Sequence, residues 1–182
     1  MATHYYVAAS LPMLVDASQE PPLSSEEFLE RCRRFMTDDE YQGLAHSSLD
    51  PDGPPAPGIC QAYRAWERSL RNDLARRRSE AQGLDPGDFL REVEPIFGTE
   101  DVAAGAMAAD TPLTAELYLD GHRWSKIDEL ATGRFFDTEF LRAYRLKLQI
   151  LERRALFDEE RGFAAYRDIY SRVLEASGGQ SI

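Results

Sequence analysis

The chain has no apolar run approaching the ~18 to 20 residues that a membrane-spanning helix needs. Its longest such stretch, Val102 to Ala109, is interrupted by Gly105. Membrane association would therefore have to pass through a partner. Only two cysteines are present, Cys32 and Cys60, with no Cys-x-x-Cys and no nearby histidine pair. That argues against a zinc site and against a disulfide framework, and it points to reduced thiols in a cytoplasm. The three histidines, His4, His46 and His122, include no His-x-x-x-His pair, and His4 and His46 read as ordinary surface residues. Gly83, Gly87 and Gly98 lie in no G-x-G-x-x-G or G-x-x-x-x-G-K context, so a phosphate loop is missing. Ser10 and the Ser47-Ser48 pair lack a nucleophile elbow. No segment of any length alternates apolar and polar residues at the period of a strand.

Positive charge is also scarce at the start. No Lys or Arg precedes Arg31, so the opening Tyr5-Tyr6-Val7-Ala8-Ala9-Ser10-Leu11-Pro12-Met13-Leu14 lacks the basic region of a secretory leader. It is expected as packed structure. What the chain does have is ordinary globular composition, 43% hydrophobic and 29% charged over 182 residues. A chain of that length buries roughly 70% of its unfolded surface, and one domain over 1–182 is expected. The net charge of −11 is uneven. Residues 62–78 carry six arginines against two acids, whereas residues 79–121 carry ten acids against one arginine. An acidic chain repels phosphate backbones, which excludes nucleic acid as the expected partner.

Helix signals run through most of the sequence. Ser24 with Glu27, and Thr37 with Glu40, are capping boxes. The first predicts a helix with Phe28, Leu29, Cys32, Phe35 and Met36 on its apolar face; the second predicts a short one with Tyr41 and Leu44. Four prolines within 50–58 then impose a loop. From Ile59 toward Arg78, Tyr63, Trp66, Leu70 and Leu74 fall on one stripe, and Gly83 with Asp85-Pro86-Gly87 ends the helix. Asp88 is read as the cap of a short helix carrying Phe89, Leu90 and Val93, and Thr99 as the cap of a marginal one in the Ala/Gly-rich stretch that follows. Thr111-Pro112 opens a helix with Leu113, Leu117, Trp124, Ile127 and Ala131, in which Gly121 is a break or a close-packing point. Asp137 or Thr138 starts another, with Leu141, Tyr144, Leu148, Leu151 and Ala155 at three-four spacing. Phe140, Leu146 and Ile150 widen its apolar face, so it should lie between two neighbours. A last helix is expected over 158–175, with a disordered tail at 177–182. The fold class is therefore all-α, an irregular bundle of about six to eight helices.

Few groups invite chemistry. Asp38-Asp39, Glu26-Glu27 and Asp158-Glu159-Glu160 sit at helix starts, where the helix dipole accounts for them. The segment Asp120-Gly121-His122-Arg123-Trp124 is the most chemically mixed, and a helix junction held by side-chain hydrogen bonds explains it as well as a site does. Arg64, Arg68 and Arg71 form a basic stripe in the one strongly positive segment. It reads either as a solvated face neutralised by its acidic flanks or as a docking face for an acidic partner.

Three stretches carry a resemblance. They are Tyr5-Tyr6…Ser10-Leu11-Pro12 with Phe28, Leu29 and Cys32; Trp66-Glu67…Leu70-Arg71-Asn72…Leu74-Ala75; and Ala115-Glu116…Leu119-Asp120…Arg123-Trp124…Ile127-Asp128 with Phe140-Leu141…Tyr144…Lys147-Leu148. In these the chain resembles an uncharacterised bacterial domain family whose genes lie in operons for V-type rotary ATPases. The helix from Leu141 to Arg153 is also similar to the last helices of the C/d central-stalk subunits of V/A-type ATPases. The resemblance implies a non-catalytic subunit or an accessory or assembly factor of a bacterial V-type ATPase. Such a protein would bind other ATPase subunits on the cytoplasmic side and meet the membrane only through the complex. The C/d funnel is built from three similar helical units, for which 182 residues are too few, so a reduced version or a different role is implied. The alternative is a small helical enzyme or free-standing adaptor. Expected interface residues are Arg64, Arg68, Arg71, Tyr5 and Tyr6, with no catalytic residues, cofactor or metal.

Overall fold

Short polar side chains placed just ahead of apolar stripes set the helix starts. In a computed structural model that describes residues 4–18, 20–157, 167 and 169, Ser24 accepts from the Glu27 amide and Glu27 returns a bond to the Ser24 amide. Thr37 and Glu40 do the same, and Thr111 pairs with Thr114 ahead of Pro112. Seven α-helices result, with no strand among the described residues, of which 64% are helical. They are α1 (Tyr5–Ser10), α2 (Ser25–Arg33), α3 (Asp38–Ala45), α4 (Ile59–Gln82), α5 (Thr99–Met107), α6 (Pro112–Leu130) and α7 (Thr138–Ala155). The fold is an all-α irregular bundle.

Two apolar clusters form its core, and α7 separates them. On one face Ala143, Leu146, Ile150 and Leu151 meet Tyr63, Trp66, Leu70 and Leu74 of α4, Val102 and Ala103 of α5, and Leu119, Trp124 and Ile127 of α6. On the other, Leu141, Tyr144 and Leu148 meet Val7, Leu23, Phe28, Cys32 and Leu44. The Phe28 and Tyr144 rings stack at 5.1 Å. The expected burial of Trp124, Tyr144, Leu148 and Leu151, and of α7 between two neighbours, is what the structure has.

Several local expectations are corrected. Asp85, not Asp88, caps the segment after α4: its side chain accepts from the Gly87 amide, and a single 3-10 turn spans Pro86–Phe89. Pro86 occupies the first helical position, so the start moves upstream and no helix continues to Pro95. Gly98, at φ 89°, caps α5, and Thr99 is its first residue. Leu117 and Phe35 are exposed, although both fit the periodicity. Gly121 neither breaks α6 nor packs closely; tight approaches are instead at Gly105, where a Cβ would overlap the Tyr118 ring, and at Gly58, where it would overlap the Glu139 carboxylate. His4 is buried, not at the surface. The helix expected over 158–175 and the tail at 177–182 lie outside the described residues, except Arg167 and Ile169, which are helical.

A buried ionic cluster and an aromatic cleft

Glu67 follows Trp66 on α4 and is carried inward with it, so that its carboxylate is buried. A buried carboxylate without partners would cost several kcal/mol, and here every lone pair is engaged. Arg123 of α6 grips it with two parallel bonds, Nε to Oε2 and Nη2 to Oε1, each 3.0 Å. Arg71 donates Nε to Oε1 at 3.0 Å, and the Tyr63 hydroxyl donates to Oε2 at 3.4 Å. The third Arg123 nitrogen reaches Asp120, also fully buried, at 3.0 Å. Arg153 and Arg154 of α7 close on the same Asp120 carboxylate.

The cluster therefore ties α4, α6 and α7 together. Burial disfavours the Arg123 cation, but the Glu67 carboxylate more than offsets this and holds the guanidinium above its ordinary pKa. Burial pushes the Tyr63 hydroxyl up, with the Glu67 charge adding to it. Both carboxylates of the cluster are thus engaged by arginines, Glu67 by Arg123 and Arg71 and Asp120 by Arg123. The cluster is the helix junction that Asp120-Gly121-His122-Arg123-Trp124 suggested. Glu67 was not among the expected functional residues; its sequence signals are its position one turn beyond Tyr63 on the buried stripe and its place in the Trp66-Glu67 stretch of the resemblance.

The basic stripe meets its own chain. Arg64 bonds the Gly53 carbonyl, Arg68 donates to the Pro51 carbonyl at 2.9 Å and lies 3.6 Å from Asp52, and Arg71 lies 3.8 Å from Asp50. These arginines fold the proline-rich loop onto α4 and are only partly exposed.

Tyr5 and Tyr6 stand differently. Their helix is fixed at its start by His4, whose amide donates to the Phe136 carbonyl at 2.6 Å. The His4 ring lies 3.2 Å from the Thr138 hydroxyl and 3.6 Å from Glu40. Beyond α1, residues 11–18 run as a strap across α7. The Tyr144 hydroxyl donates to the Pro12 carbonyl at 2.9 Å, and Arg154 holds the Asp16 carbonyl and carboxylate. Between strap and the α6–α7 connection lies a cleft of about 520 Å³, walled by Leu11, Met13 and Leu14 on one side and Ala131, Phe135 and Phe140 on the other. At this end of the molecule Tyr6 is 79% exposed, Met13 83% and Phe135 66%, and the Tyr5 ring rests 4.8 Å from Phe136. Both cations at the cleft are paired, Arg134 with Asp137 at 3.2 Å and Lys147 with Asp128. The surface is thus aromatic and nearly neutral, which suits protein contact better than turnover of a charged substrate.

Among the described residues no group of three or more His, Cys, Asp or Glu could hold a metal ion. No helix of the described residues is long and apolar enough to cross a membrane. A search of the curated proteins and one of the solved structures each found no match. A family model does match, over residues 75–177. That stretch takes in Phe135 and Phe136 but none of Tyr5, Tyr6, Arg64, Arg68 or Arg71. On this match the chain belongs to the family described as a protein of unknown function, DUF2764.

Proposed function

We propose that this protein is a non-catalytic subunit or accessory factor of a bacterial V-type rotary ATPase, bound to other subunits on the cytoplasmic side through protein contacts. The resemblance of its opening, its Trp66 to Ala75 segment and its α6–α7 region to a family encoded beside such ATPases supports this reading. The observation that carries a docking role is the exposed Tyr6, Met13 and Phe135 around a preformed apolar cleft. The converging titratable groups, by contrast, are sealed inside and mutually paired. Either a reduced counterpart of a C/d stalk subunit or an assembly factor would dock through such a surface.

Affinity capture of the tagged full-length chain from native membranes tests the proposal. ATPase catalytic and shaft subunits should copurify, and Tyr6→Ser with Phe135→Ser should reduce their recovery at least several-fold, as loss of exposed aromatic anchors does. Recovery of the chain without any ATPase subunit would refute it. Charge reversal of Arg64, Arg68 and Arg71 is a poorer test, because it also releases the loop they hold.

A further inference from the structure

Between α4 and α5 the chain travels from Gly83 to Gly98 with only one 3-10 turn, an unusual length of irregular backbone. Its path is nevertheless fixed. The buried Asn72 side chain bonds both polar atoms of the Arg91 backbone, donating to the carbonyl at 2.8 Å and accepting from the amide at 2.9 Å. The Ile96 amide donates to Ser69 at 2.9 Å, and the Thr99 hydroxyl reaches Asp73 at 2.7 Å. The segment thus retraces α4 from its end back to Ser69, about 20 Å at 1.5 Å per residue.

Held this firmly, the strip turns apolar side chains outward. Leu84 and Phe89 are more than half exposed and Phe97 is fully so. Between them Asp85, Asp88, Glu92 and Glu94 form no ion pair among the described residues, whereas Arg91 is paired with Asp52 at 2.8 Å. Arg76 and Arg77, behind the strip on α4, are paired with Asp73 and Glu100. The carboxylates are not grouped as a metal site. Interleaved along the strip with exposed Leu84, Phe89 and Phe97, they suit a partner that is both basic and apolar.

We propose that the strip 84–97 is a docking surface for a basic amphipathic helix of a partner protein, whose apolar residues cover Leu84, Phe89 and Phe97 while its Lys or Arg face the four carboxylates. Buried polar anchors remove the ordering cost such a loop would otherwise pay on binding. This inference is independent of the ATPase reading, since it concerns a different surface and a different test.

The probe is a labelled 15-residue amphipathic leucine/lysine peptide, titrated into the full-length chain by fluorescence anisotropy. Phe89→Ser with Phe97→Ser, and separately Asp88→Asn with Glu92→Gln and Glu94→Gln, should each weaken binding about tenfold. Neutralising Glu26, Glu30 and Asp39 on α2 and α3 should change it less than twofold. Circular dichroism should confirm that all variants stay folded, because the altered side chains are exposed. Absence of binding to the unaltered chain, equal loss in the α2–α3 control, or equal binding of an all-lysine peptide would overturn the proposal. So would a dimer of the chain, seen in sedimentation, that Phe89→Ser with Phe97→Ser dissolves, because a second copy would then be the occupant.

Discussion

The two faces of α7 are built on different principles. Toward α4, α5 and α6 the packing is large and encloses the Glu67–Arg123–Asp120 cluster, so position is set by directional, charged bonds as well as by apolar volume. Toward α1, α2 and α3 it is small and held by Phe28, Cys32, Leu141, Tyr144 and Leu148, with capping boxes at the helix starts. The family match cuts across this division: α5, α6, α7 and the end of α4 fall within 75–177, whereas α1–α3 and the part of α4 that carries Tyr63, Trp66, Glu67, Leu70 and Leu74 do not. The match thus contains α7 and part of what packs on one of its faces, and the aromatic cleft joins Leu11, Met13 and Leu14 from outside it to Ala131, Phe135 and Phe140 from within.

The largest effect should come from the charged side. Glu67→Ala removes the acceptor of two buried Arg123 nitrogens and leaves that cation only Asp120 and Glu116, and breaking such a buried pair costs roughly 3 to 5 kcal/mol; urea unfolding measures it. If Glu67→Ala costs less than about 1 kcal/mol, the two faces do not differ in the way described. Leu148→Ala, on the apolar side, is a large-to-small core change expected to cost about 2 to 5 kcal/mol. A cost below ~0.5 kcal/mol would show that α1–α3 contribute no packing to α7.

The smallest effect is a dependence on pH. Burial pushes the Cys32 thiol up to about 12, with Arg145 pulling the other way. In the unfolded chain a thiol ionises near 8.5. A raised acid of this kind contributes its stability below the unfolded value and loses it as pH rises toward the folded one. Melting temperature should therefore decline from about pH 8.5 upward, and less steeply in Cys32→Ala measured against its own neutral-pH midpoint. Identical slopes would assign the alkaline limb to other groups, of which Tyr144, also pushed up to about 12 by burial, is the first to replace.

What the sequence made legible was local. Ser24, Thr37, Thr111 and Asp137 act within one helical turn, so their roles follow from spacing alone. The three-four stripe of α4 and α7 was readable for the same reason. Leu117 and Phe35 kept that spacing and are nonetheless exposed, because periodicity states which residues share a face and not whether a neighbour covers it. The capture of Arg64 and Arg68 by Gly53 and Pro51 depends on how a proline-rich loop folds back, which no local rule supplies. The Glu67–Arg123 pair spans 56 positions of sequence. Asp120 and Arg123 hinted at a junction, but its central carboxylate stands on another helix. The juxtaposition of Tyr5 with Phe136 was equally out of reach, since it joins the opening of the chain to a turn far along it.

Among the described residues, α7 is the element with buried members in both clusters, and Leu146 and Leu148, two positions apart, face opposite ways. Such a helix has no side on which it can be loosened alone. Any rotation that relieves one cluster drives side chains out of the other, so the α1–α3 layer and the α4–α6 layer must lose their order together. Cooperativity in this chain is thus a property of one 18-residue segment, not of a seamless interior.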